Sequence, residues 1–389
     1  MQELGIYVHI PFCKRKCYYC DFVSFCDKDK KVIDEYVECI KKEIEYKYQE
    51  LQKYENQNSK NYIINTIYIG GGTPSYIDGR YIYSIICTIK ELFNVKNDCE
   101  ITIEVNPDSV TEEQLDYYKK AGINRISIGL QTSNDNLLEK IGRVHNLQKF
   151  DDSYKILRKS GFKNINIDLM IGLPDQKLQD VIDSIEYIIS LDPEHISVYS
   201  LILEEGTKMF EYIKNKRICL PEDEIERKMY WYVKENLEKN GFKHYEISNF
   251  SKNGKQSRHN LNCWKQKEYL GFGIAAHSFL GNTRFSNTNN IEGYIKNIKN
   301  NEFKINQNIE EILSIGEKQR EFMILMLRTI DGVEIKYFKE KFGNNPLYIF
   351  RNQINKLAKE NLIEVDGDYI KLTNRGIDLA NIVWQEFID

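Results

Sequence analysis

Six short β-rich runs, each followed by a longer amphipathic segment, constrain the fold of this chain more than any other feature. The runs lie at residues 6–10, 64–69, 99–105, 125–130, 165–171 and 195–202. Strands that alternate with helices form a parallel sheet with the helices outside it. Six such units predict a partial, open version of the eight-unit β/α barrel. Functional side chains are therefore expected at the carboxyl ends of the strands.

Polar or glycine-rich sequences follow the predicted strands at that edge. Gly-Thr-Pro and Asn-Pro are common in turns, so each signal alone also fits a loop without function. Their recurrence at one edge of the sheet is what indicates a site. In chain order the signals are Cys13, Cys17 and Cys20, the stretch 70–74, the stretch 104–107, Gln131 and Asp168.

The pattern changes after the sixth unit, and we divide the chain into three parts. We expect a partial β/α barrel with the cysteine loop over 1–215, and an α+β segment capping the barrel over 216–310. A smaller α+β module, helical and winged-helix-like, is expected over 311–389. Its sheet is predicted from a hairpin with strands at 362–364 and 369–372.

Three further segments have readable periodicities. Residues 222–240 predict a helix, and residues 244–248 predict a strand. Residues 35–60 are rich in Lys, Glu and Tyr, which predicts a long solvated helix with a polar tail.

Charge and hydropathy exclude several classes of function. The formal net charge of -4 provides no basic field for phosphates, so we expect no nucleic-acid partner and a structural or docking role for the carboxyl-terminal module. The chain has neither a secretory signal nor an apolar run long enough to cross a bilayer, which predicts a cytoplasmic protein.

The three clustered cysteines, in the sequence FCKRKCYYCDF, limit the metal chemistry. A structural zinc site needs four ligands, and the fourth would have to come from Cys26, His9 or a remote residue. A disulfide would leave one thiol over and would be reduced in the cytoplasm. A 4Fe-4S cluster with three protein ligands avoids both difficulties and leaves its fourth iron open to a small molecule.

The combination of C-x-x-x-C-x-x-C after the first strand and Gly-Gly-Thr-Pro after the second resembles the radical S-adenosylmethionine superfamily. Further sequences resemble the oxygen-independent coproporphyrinogen III dehydrogenase group within it, and the likeness covers nearly the whole chain. Inside that group the chain is most similar to haem chaperones. These further sequences are YVHIPFC, GGGTPS, EVNP, GRVH, IDLMIGLP and YSLI.

The resemblance implies a set of cofactor-binding residues. Cys13, Cys17 and Cys20 would hold the 4Fe-4S cluster, whose open iron would bind the methionine part of S-adenosylmethionine. The residues implied to contact S-adenosylmethionine comprise two flanking tyrosines, a glycine-rich backbone segment and four polar side chains. They are Tyr7, Tyr19, Gly71, Gly72, Thr73, Glu104, Gln131, Arg143 and Asp168.

Two departures from the dehydrogenases matter. Phe22 stands where those enzymes have a fourth cysteine, and six residues precede Tyr7, so we expect their amino-terminal extension to be lacking. The haem chaperones share both departures. Both argue against coproporphyrinogen III dehydrogenase activity and leave open whether the chain is an enzyme.

The segment SRHNLNCW resembles the chaperones' His-Asn-x-x-Tyr-Trp motif, which the dehydrogenases lack. The resemblance implies that His259 ligates haem iron and that Trp264 offers an apolar face to the macrocycle. Cys263 replaces the usual Tyr, and its thiolate is a further candidate ligand for haem iron. The alternative is that His259 is a hydrogen-bonded core residue in a loop over the barrel mouth.

The resemblance therefore implies a haem chaperone that carries a 4Fe-4S cluster and S-adenosylmethionine and delivers haem to apo-haemoproteins. Acceptors would include membrane-associated respiratory proteins, which would bring the chaperone to the membrane surface, and a homodimer is one expected form. The alternative is an oxidoreductase that decarboxylates two propionates of coproporphyrinogen III to make protoporphyrinogen IX. A radical enzyme acting on another tetrapyrrole is a third reading.

Overall fold

A parallel six-stranded sheet forms the centre of the molecule in the computed structural model, which describes residues 1–26 and 28–388. Consecutive strands pair in parallel from the first to the sixth, so the predicted partial barrel is confirmed. The strands are β1 Gln2–Ile10, β2 Tyr62–Gly71, β3 Val95–Val105, β4 Arg125–Gln131, β5 Ile165–Ile171 and β6 His195–Ser200. The helices that follow them are α1 Lys30–Asn58, α2 Gly79–Leu92, α3 Glu112–Ala121, α4 Asp135–Lys140, α5 Leu147–Lys159, α6 Leu178–Ser190, α7 Lys208–Lys214 and α8 Asp223–Lys239.

The two faces of the central strands differ in polarity. Because side chains alternate along a strand, Ile67 and Ile103 face outward, where they are fully buried beneath the helices. The inward-facing Tyr68, Glu104 and Asp168 are polar and only partly buried. The interior of the barrel is therefore a polar space that solvent reaches.

Shorter strands extend the sheet at both edges. The helix predicted at 222–240 is confirmed as α8. The strand predicted at 244–248 is confirmed over residues 244–246, but its continuation to 248 is wrong, because the chain reverses after Glu246 and forms a hairpin. The added elements are β7 Lys243–Glu246, β8 Asn249–Ser251, α9 Arg258–Trp264, β9 Tyr269–Phe272, β10 His277–Leu280, β11 Thr283–Asn287, α10 Ile291–Lys299 and β12 Gln307–Ile312.

The carboxyl-terminal module has its own three-stranded sheet and its own apolar core around Phe322 and Phe338. The predicted hairpin is present, and Gly367 supplies the positive φ of 57° in its turn. The elements are α11 Ile315–Met326, β13 Val333–Glu334, α12 Ile335–Phe342, α13 Pro346–Ile349, α14 Arg351–Lys359, β14 Ile363–Asp366, β15 Tyr369–Leu372, α15 Asn374–Asp378 and α16 Ala380–Gln385.

Two other expectations concern a domain boundary and the first helix. The boundary predicted between residues 310 and 311 falls inside β12, and the three-part division stays a prediction. The long helix predicted at 35–60 is confirmed as part of α1, but its predicted solvation is wrong, because α1 buries Glu43 and Lys47 together with apolar side chains. None of the helices in the described residues is long and apolar enough to span a membrane.

Candidate functional site

The three predicted cluster ligands lie in a loop that folds back on the end of β1. Cys13 N–H donates to the Phe25 carbonyl at 2.9 Å, and Phe25 N–H donates to the Pro11 carbonyl at 2.7 Å. These bonds fix both ends of the loop, and a further bond of 3.2 Å from Cys20 N–H to the Cys17 carbonyl tightens its tip. Cys13 is buried, while Cys17 and Cys20 are half-buried.

The donor set suits a cluster better than a single metal ion. No three His, Cys, Asp or Glu side chains of the described residues are grouped for one ion. Each thiolate of a 4Fe-4S cluster binds a different iron, so its ligands need not meet at one point. His9, the fourth zinc ligand considered from the sequence, already uses both ring nitrogens, with Tyr7 Oη and the Val23 carbonyl each 2.9 Å away.

The glycine segment after β2 packs directly on the cysteine loop. Gly72 N–H donates to the Ile10 carbonyl and Thr73 N–H to the Phe12 carbonyl, both at 2.9 Å. A Cβ on Gly72 would lie 3.0 Å from the Cys13 sulfur, and one on Gly71 would lie 2.5 Å from the His9 ring. Gly71 also has a positive φ of 112°. Only glycine permits this close approach of backbone to the thiols.

Two carboxylates face the barrel interior, one on β3 and one on β5. Glu104 accepts hydrogen bonds from Tyr68 Oη at 2.7 Å and from Gly71 N–H at 3.2 Å. Burial, and to a lesser degree the charge of Asp168, raise the pKa of Glu104 to about 7 against the lowering effect of those hydrogen bonds. Asp168 accepts from Asn166 Nδ2 at 2.7 Å and from Ser127 Oγ at 3.1 Å, and burial raises its pKa as well.

Gln131 and Arg143 converge at the end of β4. A Cβ on Gly129 would lie 2.6 Å from Gln131 Nε2 and 3.1 Å from Arg143 Nη2. Gln131 has a positive φ of 70°, a conformation that non-glycine residues adopt mainly at functional sites and tight turns. Arg143 Nη1 donates to the Cys17 sulfur at 3.5 Å and Nη2 donates to Asn106 Oδ1 at 2.6 Å.

The structure thus brings the glycine segment, Gln131 and Arg143 to the end of the barrel that carries the thiols, whereas Asp168 lies three residues before the end of β5 and contacts Ser127 and Asn166. Thr73 Oγ1 donates to the Cys13 sulfur at 3.5 Å, so the glycine segment and Arg143 each contact a different thiol. Tyr7 stacks on Tyr68, with ring centroids 6.3 Å apart, and Tyr19 packs on the apolar cluster beside the loop.

Comparison with known proteins gives the family. The Radical SAM superfamily model matches residues 7–188, and the HemN C-terminal domain model matches residues 314–379. The curated protein "Heme chaperone HemW" of Bacillus subtilis is 38% identical over 98% of this chain and 98% of its own length. The chain belongs to the HemW family. The Lactococcus lactis HemW is 36% identical over 98% of this chain and 96% of its own length.

Family membership confirms the resemblance drawn from the motifs and implies the 4Fe-4S cluster and S-adenosylmethionine of radical SAM proteins. The fold agrees with that of the coproporphyrinogen III oxidase HemN from Escherichia coli. That structure superposes with a TM-score of 0.84 over 99% of this chain and 90% of its own, at 22% sequence identity.

The segment SRHNLNCW, which distinguishes this HemW-family chain from the dehydrogenases, contains the short helix α9. His259 points into the barrel, where Nδ1 lies 3.0 Å from Thr66 Oγ1 and the ring stacks on Tyr68 with centroids 5.1 Å apart. Burial, together with the charge of Arg125, lowers the pKa of His259 to about 4, so its imidazole is neutral at physiological pH.

The structure does not bring Trp264 together with His259. Five residues along a helix turn the side chain to another face, and Trp264 packs against the carboxyl-terminal module. The Arg328 guanidinium lies 4.5 Å from the Trp264 ring centroid and 5.1 Å from that of Trp384. Cys263 is half-buried, and burial raises its pKa to about 11, so its thiol is protonated at neutral pH.

Sequence reasoning missed two inward-facing residues, Tyr68 and Arg125. Tyr68 contacts Glu104, Tyr7 and His259, and so links the two groups of predicted residues. The sequence could have indicated Tyr68, because it lies two residues before Gly70 and therefore on the same side of β2. Arg125 begins β4 and gave no motif signal.

Proposed function

We propose that this protein is a haem carrier that delivers haem to apo-haemoproteins and holds a 4Fe-4S cluster with S-adenosylmethionine at the mouth of its barrel. The observation that carries the proposal is the end-to-end similarity to curated proteins named haem chaperones. The exposed Phe22 in the cysteine loop is consistent with it, because the loop offers three thiols and not four.

The cofactor residues are part of the same proposal. Cys13, Cys17 and Cys20 would hold the cluster, which when reduced supplies the electron for cleaving the sulfonium bond of S-adenosylmethionine. The chain would bind the methionine and ribose groups of S-adenosylmethionine with groups at the carboxyl ends of the strands and in the barrel interior. These are the backbone of Gly71, Gly72 and Thr73, the side chains of Glu104, Gln131, Arg143 and Asp168, and the rings of Tyr7 and Tyr19.

His259 is the proposed ligand for haem iron. Its imidazole is neutral, and Thr66 engages Nδ1, which leaves Nε2 as the nitrogen for a metal. Haem must then reach the polar interior of the barrel rather than the surface of the capping segment. Trp264 and Cys263 are weaker candidates, because the first faces the carboxyl-terminal module and the second is protonated at neutral pH.

The test is an anaerobic haem titration of the cluster-reconstituted protein, followed by absorbance. We expect saturable binding with one haem per chain, and weaker binding in His259→Ala. His277→Ala is the matched control, because His277 is an exposed histidine on β10 and should not change the affinity. If the wild type binds no haem, the carrier proposal fails. Consumption of coproporphyrinogen III by the same preparation would then support the dehydrogenase alternative.

Delivery is tested separately from binding. Haem-loaded protein should transfer its haem to an apo-cytochrome. The rate of this transfer should be compared between an acceptor in detergent and the same acceptor in vesicles. Faster transfer to the vesicle-bound acceptor would support action at the membrane surface. Sedimentation of the protein with and without haem would decide whether a homodimer is the carrier form.

A further inference from the structure

Arg125 is a buried cation inside the barrel whose charge no side chain of the described residues pairs directly. It lies at the amino end of β4 and faces inward, as Ser127 two residues later does. Only 2% of its surface is exposed. Its Nε is buried without a hydrogen-bond partner, and no ion pair or side-chain hydrogen bond to Arg125 occurs within residues 1–26 and 28–388.

The carboxylates of the barrel interior are directed at other donors. Glu100 accepts from the backbone N–H groups of Arg258 and His259, both at 3.0 Å, at the start of α9. Glu104 accepts from Tyr68 and Gly71, and Asp168 accepts from Asn166 and Ser127. The charge of Arg125 lowers the pKa of Glu104 and of Asp168 across the barrel, but the oxygens of these carboxylates form no direct hydrogen bond or ion pair with its guanidinium.

A second unpartnered group lies on the neighbouring strand β3, directly across from Arg125 in the sheet. Thr102 is the cross-strand partner of Arg125 in the β3–β4 register, and its Oγ1 is also buried without a hydrogen-bond partner. The neutral ring of His259 lies close enough for the Arg125 charge to affect its pKa. Arg125 and Thr102 therefore present two unpartnered polar groups from neighbouring strands, on the side of the barrel that His259 approaches.

Physical chemistry limits what such a place can hold. Burying an unpaired charge is costly, and natural proteins keep one where a ligand or a paired group satisfies it. A carboxylate matches the planar fork of arginine with two parallel hydrogen bonds, whereas water matches only part of it. The space above is the polar interior that the half-buried Tyr68, Glu104 and Asp168 leave open to solvent.

We propose that Arg125 and Thr102 form the floor of an anion site inside the barrel, which takes a carboxylate carried on a short flexible arm such as a propionate. The identification of the arm with a tetrapyrrole propionate rests on the proposed function. The carboxylate site itself does not, because it follows from the buried, unpartnered groups of Arg125 and Thr102.

The first test uses sodium propionate as the probe and the full, cluster-reconstituted chain. Propionate should raise the thermal midpoint by about 2 °C over equal sodium chloride when it exceeds its Kd by roughly tenfold. Propionamide, the neutral isostere, should give no such rise. Arg125→Gln should lose the response to propionate, and Arg80→Gln, which removes an exposed arginine, should keep it.

Three outcomes decide the proposal. A wild type that responds equally to propionate and propionamide overturns it even if Arg125→Gln does not fold. A folded Arg125→Gln that keeps the full propionate response also overturns it. Retention of a reduced response in Arg125→Lys, which keeps the charge and loses the fork, supports it.

The second test compares haem with haem dimethyl ester, in which both propionates are esterified. Wild type should bind haem roughly tenfold more tightly than the diester, and Arg125→Gln should bind both alike. An unchanged preference in Arg125→Gln would show that haem propionates do not reach this site. If neither compound binds, the haem proposal fails, while the propionate experiment still decides the anion site.

Discussion

Glu43 and Lys47 form an ion pair of 2.7 Å inside the protein, with both side chains only 4% exposed. The Glu43 carboxylate also accepts from Gly273 N–H at 2.8 Å and from Tyr294 Oη at 2.6 Å. Lys47 Nζ donates to the Gly271 carbonyl at 2.7 Å. One turn of α1 therefore fixes the chain where it leaves β9, beside the end of β1 that leads into the cysteine loop.

Removing one member of this pair should destabilise the protein strongly. Glu43→Gln leaves the Lys47 charge buried without its counter-ion, which we expect to lower the free energy of unfolding by about 3–5 kcal/mol. Denaturant unfolding measures the change. Glu50→Gln is the matched control, because Glu50 pairs with Lys53 on the exposed face of the same helix and should cost less than about 1 kcal/mol.

The double variant Glu43→Gln/Lys47→Met sharpens this prediction. Removing both charges should recover much of the loss, since the cost of the single variant comes from the unpaired cation. The losses in free energy of unfolding should be measured for Glu43→Gln and Lys47→Met separately. If these two losses simply add in the double variant, the two side chains do not stabilise the protein as a pair.

This pair also shows where sequence reasoning stopped. The abundance of Lys, Glu and Tyr in residues 35–60 predicted a solvated helix, because charged side chains usually face solvent. Their burial depends on Gly271, Gly273 and Tyr294, more than 220 residues later in the chain. Local periodicity carries no information about such a partner.

The cluster assignment predicts a loss of iron with each thiol. Cys13→Ser, Cys17→Ser and Cys20→Ser should each reduce the iron and acid-labile sulfide per chain after anaerobic reconstitution, and the triple variant should abolish both. Cys219→Ser is the control, because Cys219 is exposed and lies outside the loop. Unchanged iron and sulfide in the triple variant would refute the proposed ligands.

Glu104 should make stability depend on pH. Burial raises its folded-state pKa from 4.5 to about 7, so the folded chain holds a proton that the unfolded chain releases over this interval. The free energy of unfolding of the wild type should therefore fall, relative to Glu104→Gln, as the pH rises from about 4.5 to about 7. The full difference is at most about 3 kcal/mol.

Denaturant unfolding of both proteins between about pH 5 and about pH 8 measures this difference. Glu113→Gln, on the first turn of α3, controls for the general loss of a negative charge. Parallel stability curves for wild type and Glu104→Gln would show that the Glu104 carboxyl titrates alike in the folded and unfolded chain.

The barrel was predictable because its signals are local. Each of the six strands begins and ends within a few residues of its apolar run, and Gly71, Glu104 and Gln131 follow from their places at strand ends. The sequence did not predict that His259 and Trp264 face different parts of the protein. The sequence presents His259 and Trp264 as one motif, but the seven-residue helix α9 directs them to different faces, and that helix was not recognised among the aromatic and glycine residues around it.

The direction of Trp264 leads to a prediction about the carboxyl-terminal module. Arg328 lies between the rings of Trp264 and Trp384, so it links α9, on the barrel side, to α16, at the end of the module. Stacking of a guanidinium on aromatic rings contributes about 0.5–2 kcal/mol at each ring. Arg328→Ala should therefore loosen the module from the barrel without unfolding the barrel itself.

Hydrogen exchange measures this loosening segment by segment. We expect faster amide exchange in α11 and α16 of Arg328→Ala, and unchanged exchange in β2 and β3. Arg328→Lys should restore little protection, because an ammonium cannot stack on two rings as a planar guanidinium does. Trp264→Ala should reproduce the Arg328→Ala pattern, whereas His259→Ala should leave the module protected, since His259 faces the barrel interior. Equal loosening by His259→Ala would mean that α9 responds as a unit and that its two faces do not act separately.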